Sequence, residues 1–182
     1  MRPDLVDFQI EESQTGLVYP WFTHPFLDWL KKQDLKEYNW LEFGAGLGTA
    51  WLRSRCRWVD TVETNQGWIG HAQAECDRFQ LANGLLHWTE ETSFLDGCNK
   101  PYQIISVDGI FRDMVMHWAI DYFESGVGGI LIADNYDQDF VWPNPTCKDR
   151  LAKYAEHKHI QPDHTNHNGK PWNTSWWYIM PK

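Results

Sequence analysis

A glycine-rich turn between a short apolar run and a helical stretch limits what this chain can fold into more than any other feature. Residues 40–43 read as a buried strand, and three glycines follow at alternate positions, Gly44, Gly46 and Gly48. Glycine adopts positive φ without strain and lets the backbone approach a bound molecule closely. The free N–H groups of the helix that follows point toward the same place. The stretch therefore predicts a strand–turn–helix unit beside a ligand.

The glycine spacing departs from the fingerprint of dinucleotide-binding proteins. That fingerprint has the form G-x-G-x-x-G, whereas Thr49 stands here at the position of the third glycine. An acid, Glu42, also lies two residues before the first glycine. Both departures disfavour an NAD-dependent enzyme, although the loop remains compatible with another nucleoside ligand.

The composition is that of a folded globular protein with a single domain, residues 1–182. Hydrophobic residues make up 42% and charged residues 23%, and the formal net charge of −9 argues against broad contact with nucleic acid. No apolar run reaches the ~18 residues of a membrane span, and the first residues lack the apolar core of a signal peptide. Four cysteines without a C-x-x-C pair read as free thiols. We therefore expect a cytoplasmic protein that contacts neither nucleic acid nor membrane.

Short apolar strands alternate with amphipathic helices along the chain. The predicted strands are 40–43, 57–63, 85–88, 102–107 and 130–133, with a final pair at 159–162 and 174–180 around an Asn168-Gly169 turn. The predicted helices are 23–33, the stretch from the glycine turn to about 54, 68–81, 115–123 and 146–157. Continuous apolar strands between helices predict an α/β protein, a parallel sheet covered on both faces.

Acidic side chains and one amide lie at or near the carboxyl ends of these strands. In a parallel sheet these ends meet at one edge, where ligands bind. Glu63 ends the second strand nineteen residues after Gly44, and its carboxylate offers two parallel acceptors for the two hydroxyls of a ribose. The convergence predicts one site. The side chains concerned are Glu42, Glu63, Glu90, Asp108, Asp134 and Asn135.

The same stretches resemble class I S-adenosylmethionine (SAM) methyltransferases over most of the chain. The glycine loop with its preceding acid is similar to motif I of that family. Asp108-Gly109-x-x-Arg112 and the run from Gly128 to Asn135 resemble a branch of small bacterial and viral methyltransferase-like proteins. The resemblance implies a Rossmann-like fold, a mostly parallel seven-stranded sheet with an antiparallel last strand. It also implies an arm and cover helix in 1–38, a cofactor-binding half in 39–135, and a substrate loop with a strand pair in 136–182.

The resemblance assigns a set of residues to SAM. In the family the glycine loop passes around the methionine part, and the motif I acid sits close to its charged end. Glu63 would hold the ribose, Trp88 would stack on the adenine, and Glu90 would accept from its amino group. The expected cofactor-binding residues are Glu42, Gly44, Ala45, Gly46, Gly48, Glu63, Trp88, Glu90 and Asp108.

The implied reaction is direct methyl transfer. The sulfonium of SAM is already activated, so the protein mainly aligns a nucleophile with the methyl group. Asp108 or Asp134 would remove or orient the nucleophile's proton. The acidic site suits a hydroxyl or amine on a small molecule or sugar, and the sequence leaves the oligomeric state open. A protein that binds SAM without transferring its methyl group is the alternative. The expected substrate-binding residues are Arg112, Asn135, Tyr136 and Trp142.

The end of the fifth strand also resembles catechol-type O-methyltransferases, in which the corresponding positions hold Mg²⁺. Those positions are Asp108, Asp134 and Asn135, whose oxygens are suitable Mg²⁺ ligands. The catechol enzymes also use a lysine shortly after the strand-four acid, where this chain has Arg112. Arginine stays protonated and cannot act as a base. We therefore prefer a metal-independent site and keep Mg²⁺ as the alternative.

Overall fold

The strands form one mixed sheet. The computed structural model describes residues 14–89, 100–109, 111–126, 128–136, 146–165 and 171–182. Within them the strands are β1 (Asn39–Phe43), β2 (Trp58–Glu63), β3 (Leu86–Trp88), β4 (Ile104–Val107), β5 (Gly129–Asp134), β6 (His157–Thr165) and β7 (Pro171–Ile179). Their order is β3-β2-β1-β4-β5-β7-β6. The first five strands pair in parallel, and β7 is antiparallel to both β5 and β6. This confirms the predicted fold class.

Helices cover both faces of the sheet, as predicted. They are α1 (His24–Leu30), α2 (Gly48–Arg55), α3 (Gln66–Arg78), α4 (Arg112–Ser125) and α5 (Thr146–Leu151). Alternate strand residues divide between two cores because successive side chains point to opposite faces. Leu41 and Ile105 pack with α4 and α5, while Trp40 and Ile104 pack with α1 and α2. Within the described ranges, no helix is long and apolar enough to cross a membrane.

The segment before α1 lies at the carboxyl ends of the strands. Thr23 precedes the helix and Pro25 stands in its first turn, as the sequence indicates. Trp29 of α1 stacks on Trp176 of β7 with ring centroids 4.3 Å apart. This packing fixes α1 on the sheet and leaves residues 19–22, the cover segment, over the strand ends.

Three predicted helix ends are wrong. Helix α1 ends at Leu30 rather than at 33, because the N–H groups of Lys32 and Gln33 donate to carbonyls only three residues back. Helix α5 ends at Leu151 rather than at 157, because the chain from His157 onward pairs with β7 as the longer strand β6. Helix α3 ends at Arg78 rather than at 81, and Gln80 takes a left-handed conformation with φ of 58°. The predicted turn at Asn168-Gly169 lies outside the described residues.

Candidate functional site

A cleft opens at the carboxyl ends of β1, β2 and β4. The glycine loop 44–48 forms its floor, and the cover segment and Trp68 contribute aromatic walls. Three predicted carboxylates, Glu42, Glu63 and Asp108, line it together. The cleft holds about 710 Å³ of free space counted to its open mouth. A smaller cavity of about 240 Å³ shares Gly44 and Glu63 with it.

The three loop glycines differ in what surrounds them. At Gly44, with φ of 105°, an added Cβ would lie 2.8 Å from the backbone N of Gly109, so the ends of β1 and β4 meet there. At Gly48 a Cβ would lie 2.3 Å from Cα of Pro20, so the cover segment packs directly on the start of α2. At Gly46 a Cβ would meet no atom within 4 Å. Of the three positions, only Gly46 therefore leaves room for a side chain to enter the cleft.

The loop uses its first three N–H groups inside the protein. The N–H of Gly44 donates to the Val62 carbonyl at 2.9 Å. Ala45 donates to Oε2 of Glu63 at 3.0 Å, and Gly46 donates to the Thr49 hydroxyl at 3.2 Å. A phosphate-binding loop aims such groups at its ligand. These three N–H groups are therefore not available to a phosphate.

Glu42 is held under the loop by two hydroxyl groups. Thr49 and Thr61 donate to its Oε2 at 2.7 and 2.9 Å. Burial raises the pKa of Glu42 to about 7, against the opposing effect of these two hydrogen bonds. Sequence reasoning missed both threonines. The hydroxyl-bearing residue at the position of an expected glycine was the signal that could have revealed Thr49.

Glu63 is anchored at the point where the two cavities meet. Its Oε1 accepts from the backbone N–H of Thr64 at 2.6 Å and of Asn65 at 2.8 Å, while Oε2 accepts from Ala45. These bonds fix the carboxylate against the glycine loop. The geometry places Glu63 where the sequence predicted a ribose contact, and that contact stays a prediction.

Arg112 joins the ends of β4 and β5. Its Nε donates to the Gly109 carbonyl at 2.8 Å, and its Nη1 donates to the Asp134 carbonyl at 2.6 Å. Its Nη2 donates to both the carbonyl and Oδ1 of Asp108, each at 2.8 Å. The guanidinium thus ties two strand ends together and is not among the residues that line the cleft. The predicted substrate contact by Arg112 has no support in this arrangement.

Asp134, Asn135 and Tyr136 do not line the cleft either. Asp134 is only 1% exposed and accepts from the Trp172 indole at 2.9 Å, from the Thr174 hydroxyl at 2.9 Å and from the Asn135 amide. Tyr136 is 7% exposed and packs edge-on against Trp177. Burial raises the pKa of Asp134, and the charge of Asp108 adds to this. The structure thus brings Asp108, but not Asp134, to the cleft.

The residues at these strand ends do not fit Mg²⁺. Both carboxylate oxygens of Asp134 accept hydrogen bonds, and the cationic Arg112 lies on Asp108. The described residues contain no group of three or more His, Cys, Asp or Glu able to hold a metal ion. No step of the proposed chemistry therefore uses a metal.

The aromatic wall was not predicted. Asn65 caps α3 by accepting from the N–H of Gly67 at 2.8 Å, which sets Trp68 in the first turn. The rings of Trp68 and Trp21 meet edge-on with centroids 6.0 Å apart. Trp88, predicted to contact adenine, is 43% exposed and donates to the Thr64 carbonyl at 3.1 Å, outside the cleft lining. Glu90 and Trp142, also predicted site residues, lie outside the described residues.

Solved structures identify the fold. No protein-family model and no curated protein sequence matches the chain. An rRNA methylase from Streptococcus thermophilus superposes with a TM-score of 0.62 at 15% identity, over 86% of this chain and 96% of its own. The O-methyltransferase TomG from Streptomyces achromogenes, solved with SAM, superposes with a TM-score of 0.63 at 15% identity, over 85% of this chain and 77% of its own. The N-methyltransferase NodS from Bradyrhizobium japonicum superposes with a TM-score of 0.62 at 19% identity, over 87% of this chain and 94% of its own. The chain therefore has the class I methyltransferase fold, as predicted.

Proposed function

We propose that the cleft binds SAM and that the protein is a methyltransferase acting on a hydroxyl or amine of a small molecule or sugar. The observation that carries this proposal is the polarity of the cleft. Glu42, Glu63 and Asp108 line it, and none of the described lining residues is Lys or Arg. The N–H groups of Gly44, Ala45 and Gly46 are bonded within the protein and are not available to a pyrophosphate. A cofactor with positive charge and no phosphate suits this site, whereas NAD does not.

The two cavities suit the two ends of SAM. The larger one would receive the methionine part above Gly46, with its ammonium toward Glu42. Glu63, shared by both cavities, would accept from the ribose hydroxyls. Beside Glu63, Val62 and Phe111 line the shallow smaller cavity and would present an apolar surface to the nucleobase.

The aromatic wall supports a cationic ligand. Trp21 and Trp68 line the larger cavity beside the carboxylates. A cation is attracted to the face of an indole ring by ~0.5–2 kcal/mol, with the larger value in desolvated sites. The sulfonium of SAM is such a cation, and it supplies a methyl group that is already activated.

Asp108 is the candidate proton acceptor. Burial raises its pKa, while the Arg112 guanidinium at 2.8 Å opposes this and favours the carboxylate. The carboxylate lines the cleft, so it can reach a hydroxyl or amine aligned with the methyl group. Alignment and removal of this proton are the protein's part of the reaction.

A protein that binds SAM without methyl transfer remains the second candidate. It is favoured by the hydrogen bonds that hold Arg112 and Asp134 within the protein, because these leave only Asp108, of the two predicted catalytic carboxylates, in the cleft lining. The proposed class of methyl acceptor is inferred from charge, because a protein with a net charge of −9 is not suited to binding the phosphate backbone of RNA. Turnover of SAM against hydroxyl and amine acceptors separates the two candidates.

Calorimetry with SAM, S-adenosylhomocysteine and NAD tests the cofactor. We expect binding of the first two and none of NAD. Glu63→Ala should weaken SAM binding by about 1.5–3 kcal/mol, the range for hydrogen bonds to a charged group, with Glu63→Gln in between. Tight NAD binding without any response to SAM would overturn the proposal.

A further inference from the structure

Asp134 lies at a junction of hydrogen bonds that leads in one direction to the cover segment. Its Oδ1 accepts from the hydroxyl of Thr174 at 2.9 Å, and the same hydroxyl accepts from the backbone N–H of Thr23 at 3.0 Å. All three residues are at most 1% exposed. Thr23 directly follows the cover segment, so this chain of bonds ends where the cleft wall begins.

In the other direction the junction leads to Asp108. The Asp134 carbonyl accepts from Nη1 of Arg112 at 2.6 Å, and Nη2 of Arg112 donates to Oδ1 of Asp108 at 2.8 Å. Asp108 lines the cleft, whereas Asp134 and Arg112 do not. One buried residue is therefore bonded to two separate parts of the cleft wall.

We propose that Asp134 is a positioning residue whose side chain fastens the cover segment through Thr174, while its backbone carbonyl holds Arg112 against Asp108. The side chain that was expected to act as a base or to hold Mg²⁺ works instead as the anchor of the cover segment. The inference rests on the proposed function only for the identity of the ligand. The fastening itself is a property of the free protein.

The chemistry of the groups fixes the direction of the bonds. When Asp134 is ionised its carboxylate only accepts hydrogen bonds, so the Thr174 hydroxyl gives its one proton to Asp134. Its lone pairs are then left for the N–H of Thr23. The Trp172 indole and the Asn135 amide also donate to Asp134 and hold the carboxylate in place. A buried N–H without its acceptor would carry the full cost of desolvation, so the cover segment gains from this contact.

Two further contacts of the cover end agree with this role. The Thr23 hydroxyl donates to the His159 carbonyl at 3.4 Å, a longer bond to the edge strand β6. Pro20 packs closely against Gly48: a Cβ added at Gly48 would lie 2.3 Å from the Cα of Pro20. The cover segment is thus held by van der Waals packing of Pro20 on Gly48 and, just after its last residue, by the hydrogen bond from Thr23 to the Thr174 hydroxyl.

Thr174→Val tests the proposal because valine keeps the shape of threonine and removes the hydroxyl. Thr174→Ser keeps the hydroxyl and serves as the rescue variant. Ser175→Ala is the matched control: Ser175 is also buried in β7, and its hydroxyl donates to Glu156 at 2.7 Å, away from the cover. Asp134→Ala removes both acceptor oxygens, and it replaces Thr174→Val if that variant fails to fold.

Hydrogen exchange of residues 15–23 in the free protein is the first measurement. We expect exchange to rise on the order of tenfold in Thr174→Val and Asp134→Ala, and to stay at the wild-type rate in Thr174→Ser and Ser175→Ala. Affinity for SAM, measured by calorimetry, should fall on the order of tenfold in the same two variants.

Equal exchange in Thr174→Val and Ser175→Ala would overturn the proposal, since a general loss of strand stability would affect both. Increased exchange with unchanged SAM affinity would overturn the part that concerns the cleft. If wild-type protein does not bind SAM, the proposed function fails, but the exchange data still decide whether Asp134 anchors the cover.

Discussion

The hydroxyl of Thr49 lies 2.7 Å from Oε2 of Glu42, across the glycine turn that separates the two residues. The same hydroxyl accepts from the N–H of Gly46. One side chain therefore closes the loop and holds the acid beneath it. A third glycine at this position, as in dinucleotide-binding proteins, would provide neither bond.

Thr49→Gly is a direct test, because it converts the loop into the G-x-G-x-x-G form. We expect a loss of stability of about 1–3 kcal/mol from two hydrogen bonds and the lower helix propensity of glycine. SAM affinity should fall, and NAD should still not bind, because Glu42, Glu63 and Asp108 remain. Thr49→Ser keeps the hydroxyl and should behave like wild type. Calorimetry with both ligands decides, and NAD binding by the glycine variant would contradict this account.

Gly46→Val should abolish SAM binding while the fold survives. The added side chain meets no protein atom within 4 Å of its Cβ and would enter the cleft. Gly70→Val is the matched control, since a Cβ at Gly70 on α3 also meets nothing within 4 Å. Both variants should keep the wild-type circular dichroism spectrum, and only Gly46→Val should lose affinity. Normal SAM binding by Gly46→Val would show that the ligand lies elsewhere.

Glu42→Gln should remove a pH dependence of stability. The folded carboxyl has a pKa of about 7, against an ordinary value of 4.5, so it keeps its proton between these values while the unfolded chain loses it. The contribution of Glu42 to stability is therefore greatest below pH 4.5, declines as pH rises to about 7, and is level above that. The whole change is on the order of 3 kcal/mol at most. Urea unfolding from pH 4.5 to 8 should give a flatter profile for the variant. Parallel profiles would contradict the raised pKa.

Glu124→Gln should have the opposite pH signature. This buried carboxylate on α4 accepts from Lys153, from the Tyr154 hydroxyl at 2.8 Å and from Lys182. Burial alone would raise the pKa of Glu124, but these donors lower it to about 2. Its contribution is present above pH 4.5 and is lost as pH falls toward 2. The melting temperature of the variant should lie a few degrees below that of wild type at pH 7, and the two melting temperatures should be equal near pH 2. A deficit of equal size at both pH values would point to lost packing instead.

Sequence reasoning succeeded where local patterns carry the structure. The apolar strands, the glycine turn and the amphipathic helices predicted the sheet and its layers, because burial and backbone conformation are written into adjacent residues. Glu42, Glu63 and Asp108 were placed together by one general rule, that ligands meet the carboxyl ends of parallel strands.

The remaining site features depend on contacts between distant parts of the chain. Nothing in the sequence around Asp134 shows that Thr174 and Trp172 would surround it, so a buried anchor could not be told from a cleft carboxylate. The sequence contains twelve tryptophans, and their number alone does not show which of them line the cleft. Trp68 and Trp21 could therefore not be predicted as its wall. The end of α5 was also decided by a distant partner, the pairing of His157 with β7.

The bond between Thr23 and Thr174 has a consequence for how the molecule is made. The two residues are 151 positions apart, so the cover segment leaves the ribosome well before the strand that anchors it. Contacts of such long sequence separation form late in folding. A nascent chain that ends before β7 can build the glycine turn but cannot close the cleft over it. Occupancy by a small ligand would therefore mark a chain in which β7 has been made and has paired with β5.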